Sequence, residues 1–153
     1  MKIEELLSSP FSFSQRKTFT PCETRPLWKL ALATIIIGIT GREKRCSLRK
    51  IHTANWLVKS PEHLEELLEW SKSNSLFAPC IRLDPTIDRA IELLAASGYA
   101  CKIGGKIALT AEGENLFRQL ERNKEMMTLE KNTLMTAKKH LSEAAVERIF
   151  KAN

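Results

Sequence analysis

Histidine, cysteine and carboxylate side chains are the groups of this chain that could catalyse a reaction or bind a metal, and their spacing favours neither. The cysteines are far apart and show no zinc-site pattern, so we expect buried, reduced thiols at Cys22, Cys46, Cys80 and Cys101. The histidines are isolated, and we expect His52 to be a helix-surface or partly buried polar residue. The stretch GITGREK lacks the spacing of a phosphate-binding loop. We therefore expect neither an enzyme nor a cofactor or metal site.

Basic residues provide a clearer candidate for a functional surface. The formal net charge is +6 and the sequence pI about 9.3, a moderate excess that is concentrated in one stretch. Five basic residues lie within nine positions: Arg42, Lys44, Arg45, Arg49 and Lys50. Positive charge near the start of a helix gains nothing from the helix dipole, which favours a functional cause. The cluster predicts non-specific contact with nucleic-acid backbone, and a solvated loop is the alternative.

Residues that start and stop helices divide most of the chain into helices. The first helix begins near residues 24–26 and ends at Gly38 or Gly41. Its apolar stretch LALATIIIGI has ten residues. A membrane-spanning helix needs roughly twenty, so we expect a buried central helix. Further helices are predicted after the N-cap residues Ser47, Ser60, Asp84, Thr110 and Ser142.

The two ends of the chain differ in composition from its middle. Residues 1–24 are rich in Ser, Thr and Pro and predict an extended arm, whose phenylalanines Phe11, Phe13 and Phe19 dock on the chain's own domain or on a partner. Residues 25–124 predict one domain. Residues 125–153 predict a helical tail that docks on partners or folds back on the domain. The apolar residues of the tail are Leu134, Leu141, Val146, Ile149 and Phe150. No secretion signal is apparent, and we expect a cytoplasmic protein.

The stretch GYACKIGGKIALTAEGENL predicts a β-hairpin between two helices. Pairing Ile103 with Ile107 needs a three-residue loop, 104–106, whereas a two-residue Gly-Gly turn pairs Ile103 with Lys106. We expect the first register, because a lone hairpin needs one buried face. That register places five side chains together: Tyr99, Cys101, Ile103, Ile107 and Leu109.

Helix, hairpin and capped helix follow one another in the order of a winged-helix domain, with the hairpin as the wing. We therefore expect a mainly α fold with a small β-hairpin wing, an N-terminal arm and a C-terminal helical extension. In a DNA-reading member, the helix before the wing contacts bases and phosphates. Here that helix carries Asp84, Asp88, Arg89 and Glu92, and the wing offers Lys102 and Lys106. Because phosphate repels the three acids, we do not expect sequence-specific reading through this helix.

Several stretches together resemble the small middle component of bacterial ABC-three-component systems, which include the Lamassu-type anti-phage and anti-plasmid systems. The resemblance covers about residues 25–150. Its more specific parts are the stretch IHTANW at 51–56, similar to an "LHxLNW" pattern, and the "DPxxDRA" stretch at 84–90. The "LTxxG" stretch is common to many winged helices and adds little.

The resemblance implies a non-catalytic winged-helix accessory subunit. Such a subunit sits on an SMC-like ABC ATPase that senses foreign double-stranded DNA, and connects it to an effector such as a nuclease. The resemblance also implies that the arm and the tail dock on these partners, with DNA contacted through the complex and without sequence specificity. The rival hypothesis is a winged-helix transcriptional regulator that dimerises through its terminal helices. A third is a defence adaptor without DNA contact.

Overall fold

The computed structural model describes residue 21, residues 24–73 and residues 77–152. Within these ranges the chain is mainly helical, with seven α-helices and one antiparallel sheet of three short strands. This confirms the prediction of a mainly α protein with a small β element. The elements in chain order are α1 (Pro26–Thr40), β1 (Arg45–Cys46), α2 (Leu48–Leu57), α3 (Pro61–Lys72), α4 (Pro85–Ala96), β2 (Ala100–Ile103), β3 (Lys106–Leu109), α5 (Ala111–Arg122), α6 (Thr128–Ala137), a 3-10 helix (Lys138–His140) and α7 (Glu143–Ala152).

Helix α1 is the central helix, as its composition predicts. Every residue from Ala31 to Thr40 is buried, and the helix packs against α2, α4, α5 and α6. Its apolar side chains therefore find neighbours on all sides. Gly38 lets α5 approach closely, because the ring of Phe117 occupies the space that a Cβ at position 38 would need. In the part of the chain that the structure describes, no helix is long and apolar enough to cross a membrane.

The predicted helix caps are largely confirmed. Side-chain oxygens of four residues accept hydrogen bonds from backbone N–H groups in the first turn of the helix that follows each, namely Ser47, Asp84, Thr110 and Ser142. Ser60 directly precedes α3 but makes no such bond. Gly98 follows α4 with a φ of 79°, a left-handed conformation that favours glycine. The helix boundaries thus follow from local capping chemistry.

The predicted register of the hairpin is wrong. Ile103 pairs with Lys106, and Lys102 pairs with Ile107. The connection is therefore the two-residue turn Gly104–Gly105, in which both residues have positive φ. Positive φ at both central positions is typical of a type I′ turn, the connection that best matches the twist of paired strands.

The third strand explains this register. β1 pairs with the other edge of β3, and Cys46 lies opposite Ile107. The hairpin therefore belongs to a sheet and does not have to form an apolar face by itself. Its core contact comes from Ala100 and Leu109, which pair with each other and are buried. Ile103, which we expected on the buried face, is 48% exposed near the tip.

The C-terminal helices belong to the same core as α1. Leu134, Leu141, Val146 and Ile149 are almost completely buried, and Phe150 packs partly buried against the same cluster. This corrects the prediction that these five side chains dock on a partner, because within this chain they face its own core. The alternative, in which the tail folds back, is the one observed. The phenylalanines of the arm, at positions 11, 13 and 19, lie outside the described residues.

Candidate nucleic-acid interface

Strand β1 joins the predicted basic cluster and the predicted wing in one sheet, with Arg45 and Lys106 on one face and Lys102 on the other. Arg45 pairs with Ala108, and the backbone N–H of Leu109 donates to the carbonyl of Lys44 at 3.1 Å. The cluster thus lies along the strand that forms one side of the wing. We call the exposed basic residues of the cluster and of the wing the basic surface: Arg42, Arg45, Arg49, Lys102 and Lys106. The exposed Arg49 also lies 5.5 Å from the Phe150 ring. The sequence predicted these residues separately but did not predict that a sheet joins them.

Lys44 and Lys50 are not part of the basic surface. The ammonium group of Lys44 donates to the carbonyl of Gly38 at 2.9 Å and lies 4.3 Å from the centre of the Phe117 ring. Its charge is therefore used within the chain, by a hydrogen bond and a cation–π contact. Lys50 is only 5% exposed. This corrects the prediction that Lys50 contacts a phosphate backbone.

The turn that carries the basic surface has an unusual backbone. The N–H of Arg45 donates to the carbonyl of Arg42 at 3.0 Å, which closes a four-residue turn. Its two central residues, Glu43 and Lys44, have φ values of 51° and 56°. Left-handed backbone costs a non-glycine residue about 1–2 kcal/mol. The contacts of Lys44 hold the turn in place, and an exposed ion pair also joins Arg45 to Glu43. Backbone strain of this kind is often found at functional sites.

Glu143 is the carboxylate that joins the basic surface to α7. It accepts a hydrogen bond from the N–H of Ser47 at 3.0 Å, and its oxygen lies 3.9 Å from the ammonium of Lys106. Burial raises the pKa of the Glu143 carboxyl, but hydrogen bonds from Ser47 and the nearby Lys50 outweigh burial, and the net pKa is below its usual value. The carboxylate therefore stays ionised and partly offsets the positive charge of Lys106.

The acidic residues of α4 are used differently from what the sequence predicts. Asp84 is buried, and Asp88 accepts a hydrogen bond at 2.9 Å from Nε2 of His52, whose Nδ1 accepts from the backbone N–H of Asp84. His52 is itself buried, so it is not a surface residue. Arg89 and Glu92 are the charged side chains of α4 that are classed as exposed. The exposed surface of α4 therefore carries fewer acidic groups than the sequence of this segment suggests. It shows no excess of positive charge.

A buried polar network around Asp84 joins α1, α2 and α4. One carboxylate oxygen lies 3.3 Å from the Lys29 ammonium, 2.8 Å from the Lys59 ammonium and 3.2 Å from the Asn55 amide nitrogen. The other oxygen accepts two hydrogen bonds from Thr86. Burial raises the pKa of the Asp84 carboxyl, but these hydrogen bonds outweigh burial and hold the pKa far below its usual value. The aspartate is thus ionised at every ordinary pH.

The role of Lys29 was not predicted from the sequence. The signal was present, because a lysine inside an otherwise apolar helix must be neutralised if it is buried, and Lys29 is 8% exposed. What local sequence does not supply is the partner, which lies 55 positions away. Every buried polar side-chain atom in the described residues has a hydrogen-bond partner. The hydrogen bonds of the network therefore indicate a structural role, in which it joins α1, α2 and α4.

The cysteines lie in different environments. Cys46 is buried, and burial raises the pKa of its thiol. Cys101 is half-buried, whereas Cys80 is exposed, so the expectation of burial is wrong for Cys80. Cys22 lies outside the described residues. Across residues 24–73 and 77–152, no group of three or more His, Cys, Asp or Glu side chains is placed to hold a metal ion.

The two stretches that carry the family resemblance meet in the polar network. Residues 51–56 supply His52 and Asn55, and residues 84–90 supply Asp84, Thr86 and Asp88. No protein-family model matches the chain, and no curated protein or solved structure matches it at a significant level. The resemblance therefore stays a prediction. The structure adds that its two most specific stretches are in direct contact.

Proposed function

We propose that this protein is a non-catalytic, cytoplasmic accessory subunit of a prokaryotic defence complex, in which it links an SMC-like ABC ATPase that senses foreign DNA to an effector such as a nuclease. The observation that carries the DNA-associated part is the basic surface, where five exposed basic side chains lie on the strands of one small sheet or next to β1 in the chain. The partner assignment comes from the family resemblance. Both parts describe a protein that works by binding.

The order of elements supports a winged-helix domain within this proposal. A helix, a short strand, further helices and a hairpin follow one another, and the first strand pairs with the last one in the order β1-β3-β2. α3 is an additional helix between α2 and α4. The wing is the β2–β3 hairpin, and its tip carries the half-exposed Ile103 between Lys102 and Lys106.

The charges favour backbone contact over base reading. Arginine and lysine side chains around a sheet attract phosphates without regard to sequence. Helix α4 precedes the wing, and a sequence reader would place this helix in the major groove. Its exposed charges are those of Arg89 and Glu92, together with a partly exposed Asp88 that is engaged by His52. The helix therefore gains little from phosphate attraction.

The second candidate function is a winged-helix transcriptional regulator. The element order favours it as much as it favours the accessory subunit, and Arg89 on α4 is exposed. The two candidates differ in what the isolated chain does. A regulator binds one short duplex specifically, whereas an accessory subunit binds no defined site and stays with its partners.

Co-expression with the genes encoded beside it tests the proposal. The tagged full chain is purified, its partners are identified, and the mass of the assembly is measured. We expect a large coiled-coil ATPase and an effector in a defined complex that binds unrelated duplexes equally well. Purification of the chain alone, with binding to one specific duplex, would contradict the proposal in favour of the regulator.

A further inference from the structure

An uncharged groove lies beside the N-terminal end of α1, between α1, α4 and α5. It encloses about 230 Å³ and is lined by leucines of all three helices and by Tyr99. Three of its side chains are unusually open to solvent for their type, since Leu27 is 78% exposed, Leu93 47% and Tyr99 36%. Neighbouring exposed apolar side chains of this kind mark a surface that binds something.

The chain outside the described residues joins the molecule at this groove. Thr24 and Arg25 lead directly into α1, and Leu27 lies in its first turn. Thr24 and Pro26 line a neighbouring cavity that shares Leu93 with the groove, so residues 1–20 are attached close to the groove. Their middle part, LLSSPFSFSQ at 6–15, contains no charged residue. An uncharged segment, half of whose residues are apolar, is thus tethered near an uncharged, apolar groove.

The spacing of the phenylalanines suits a groove. Phe11 and Phe13 are two positions apart, and an extended backbone places such residues on the same side. Phe19 is five positions before Thr24, which limits its distance from Thr24 to about 17 Å in an extended chain. A short tether also gives an effective concentration on the order of millimolar, so weak contacts are enough for docking.

We propose that the N-terminal arm docks through Phe11, Phe13 and Phe19 in the groove lined by Leu27, Leu93 and Tyr99 of the same chain. The arm then covers apolar surface that is otherwise open to water. This inference goes beyond the proposed function and does not depend on it, because it concerns the isolated chain. It selects the chain's own domain from the two docking sites that the sequence left open.

The tyrosine of the groove provides a specific probe. Tyr99 is the only tyrosine of the chain, so selective labelling gives one set of ring signals in an NMR spectrum. In the full chain we expect nuclear Overhauser contacts between the Tyr99 ring and phenylalanine rings. The variant F11S/F13S/F19S should lose these contacts and shift the Tyr99 signals. Phe77→Ser is the matched control, since Phe77 is 89% exposed elsewhere on the chain, and it should leave the signals in place.

Addition of a peptide separates docking from an indirect effect of the triple variant. A synthetic peptide of residues 1–20, at millimolar concentration, should restore the wild-type Tyr99 signals in the full-length triple variant. A peptide with three serines should not restore them. Identical Tyr99 signals in the wild type and the triple variant would overturn the proposal. Signals that depend on protein concentration would overturn it in favour of a second copy in the groove.

Discussion

Two clusters of charged residues lie near the two ends of α1. Positive charge is buried and paired in the first cluster and exposed in the second. At the first turn, Lys29 is buried and held by Asp84 and Asn55. Beyond the last turn, the basic surface is open to solvent and carries more positive than negative charge. The first cluster has every buried polar atom satisfied within the described chain. The second can be neutralised fully only by something outside it.

The buried cluster is therefore structural, whereas the basic surface is available for binding. Charge inside the protein must be paired, because an unpaired buried charge costs several kcal/mol. Charge on the surface costs little and is screened by salt. Loss of the buried cluster should therefore appear as lost stability, whereas loss of the basic surface should appear as lost binding.

Asp84→Ala should have the largest effect on stability. It leaves the buried Lys29 ammonium without a counter-charge, which costs about 3–5 kcal/mol in the free energy of unfolding. Urea denaturation measures this change. In the double variant K29M/D84A most of the loss should be recovered, apart from about 1 kcal/mol for the missing helix cap. A double variant as unstable as Asp84→Ala would show that Lys29 does not account for the loss.

The buried cluster should also make stability depend on pH in a defined range. The folded pKa of Asp84 is depressed, so its contribution is complete well above the unfolded value of about 3.9 and is lost progressively as the pH falls below that value. The wild type should therefore exceed Asp84→Asn in stability at pH 7, and the difference should shrink towards pH 2. Thermal unfolding of both proteins across this range measures it. A constant difference would show that the charge of Asp84 is not responsible.

Charge reversal on the basic surface should change binding and leave stability almost unaltered. In R42E/R45E, we expect the affinity of the assembled complex for duplex DNA to fall by at least about tenfold at low salt, with a shallower dependence on salt concentration. Filter binding at several salt concentrations measures both. K138E/K139E carries the same charge change on the 3-10 helix and should bind like the wild type. Equal binding by both variants would remove the basic surface from the proposal.

The strained turn should give the smallest effect. Glu43→Gly relieves left-handed backbone at a non-glycine residue and should increase the free energy of unfolding by about 0.5–1 kcal/mol. The ion pair that it removes is exposed and contributes little. Gly104→Ala is the reverse change, because position 104 has a φ of 56° and open space around it. It should destabilise by a similar amount. A loss of stability in Glu43→Gly would mean that the side chain matters more than the backbone.

Local signals in the sequence predicted most helices and their caps. Ser47, Asp84 and Thr110 each accept a hydrogen bond from a backbone N–H within three residues, so these caps can be predicted without knowledge of the tertiary structure. β1 was missed because it has two residues in a basic loop, and its pairing with β3 spans more than sixty positions. Without β1, the register of the hairpin was inferred from an apolar face that a three-stranded sheet does not need.

The prediction that the apolar residues of the C-terminal segment dock on a partner was wrong for a different reason. Their helical spacing was recognised, but spacing alone does not show whether an apolar stripe packs within the chain or on a partner. The basic surface was predicted more successfully, since exposure is the ordinary state of Arg42 and Arg45. Lys50 was the exception, because it lies on the inner side of α2.

Contacts among Gly38, Phe117 and Lys44 connect the turn of the basic surface to α1 and α5. The Phe117 ring lies against the Gly38 backbone, and the Lys44 ammonium contacts both this ring and the Gly38 carbonyl. If a ligand displaces Lys44, the ring loses its upper neighbour and gains room to rotate. We therefore expect the flip rate of the Phe117 ring to increase when a ligand moves the neighbouring turn.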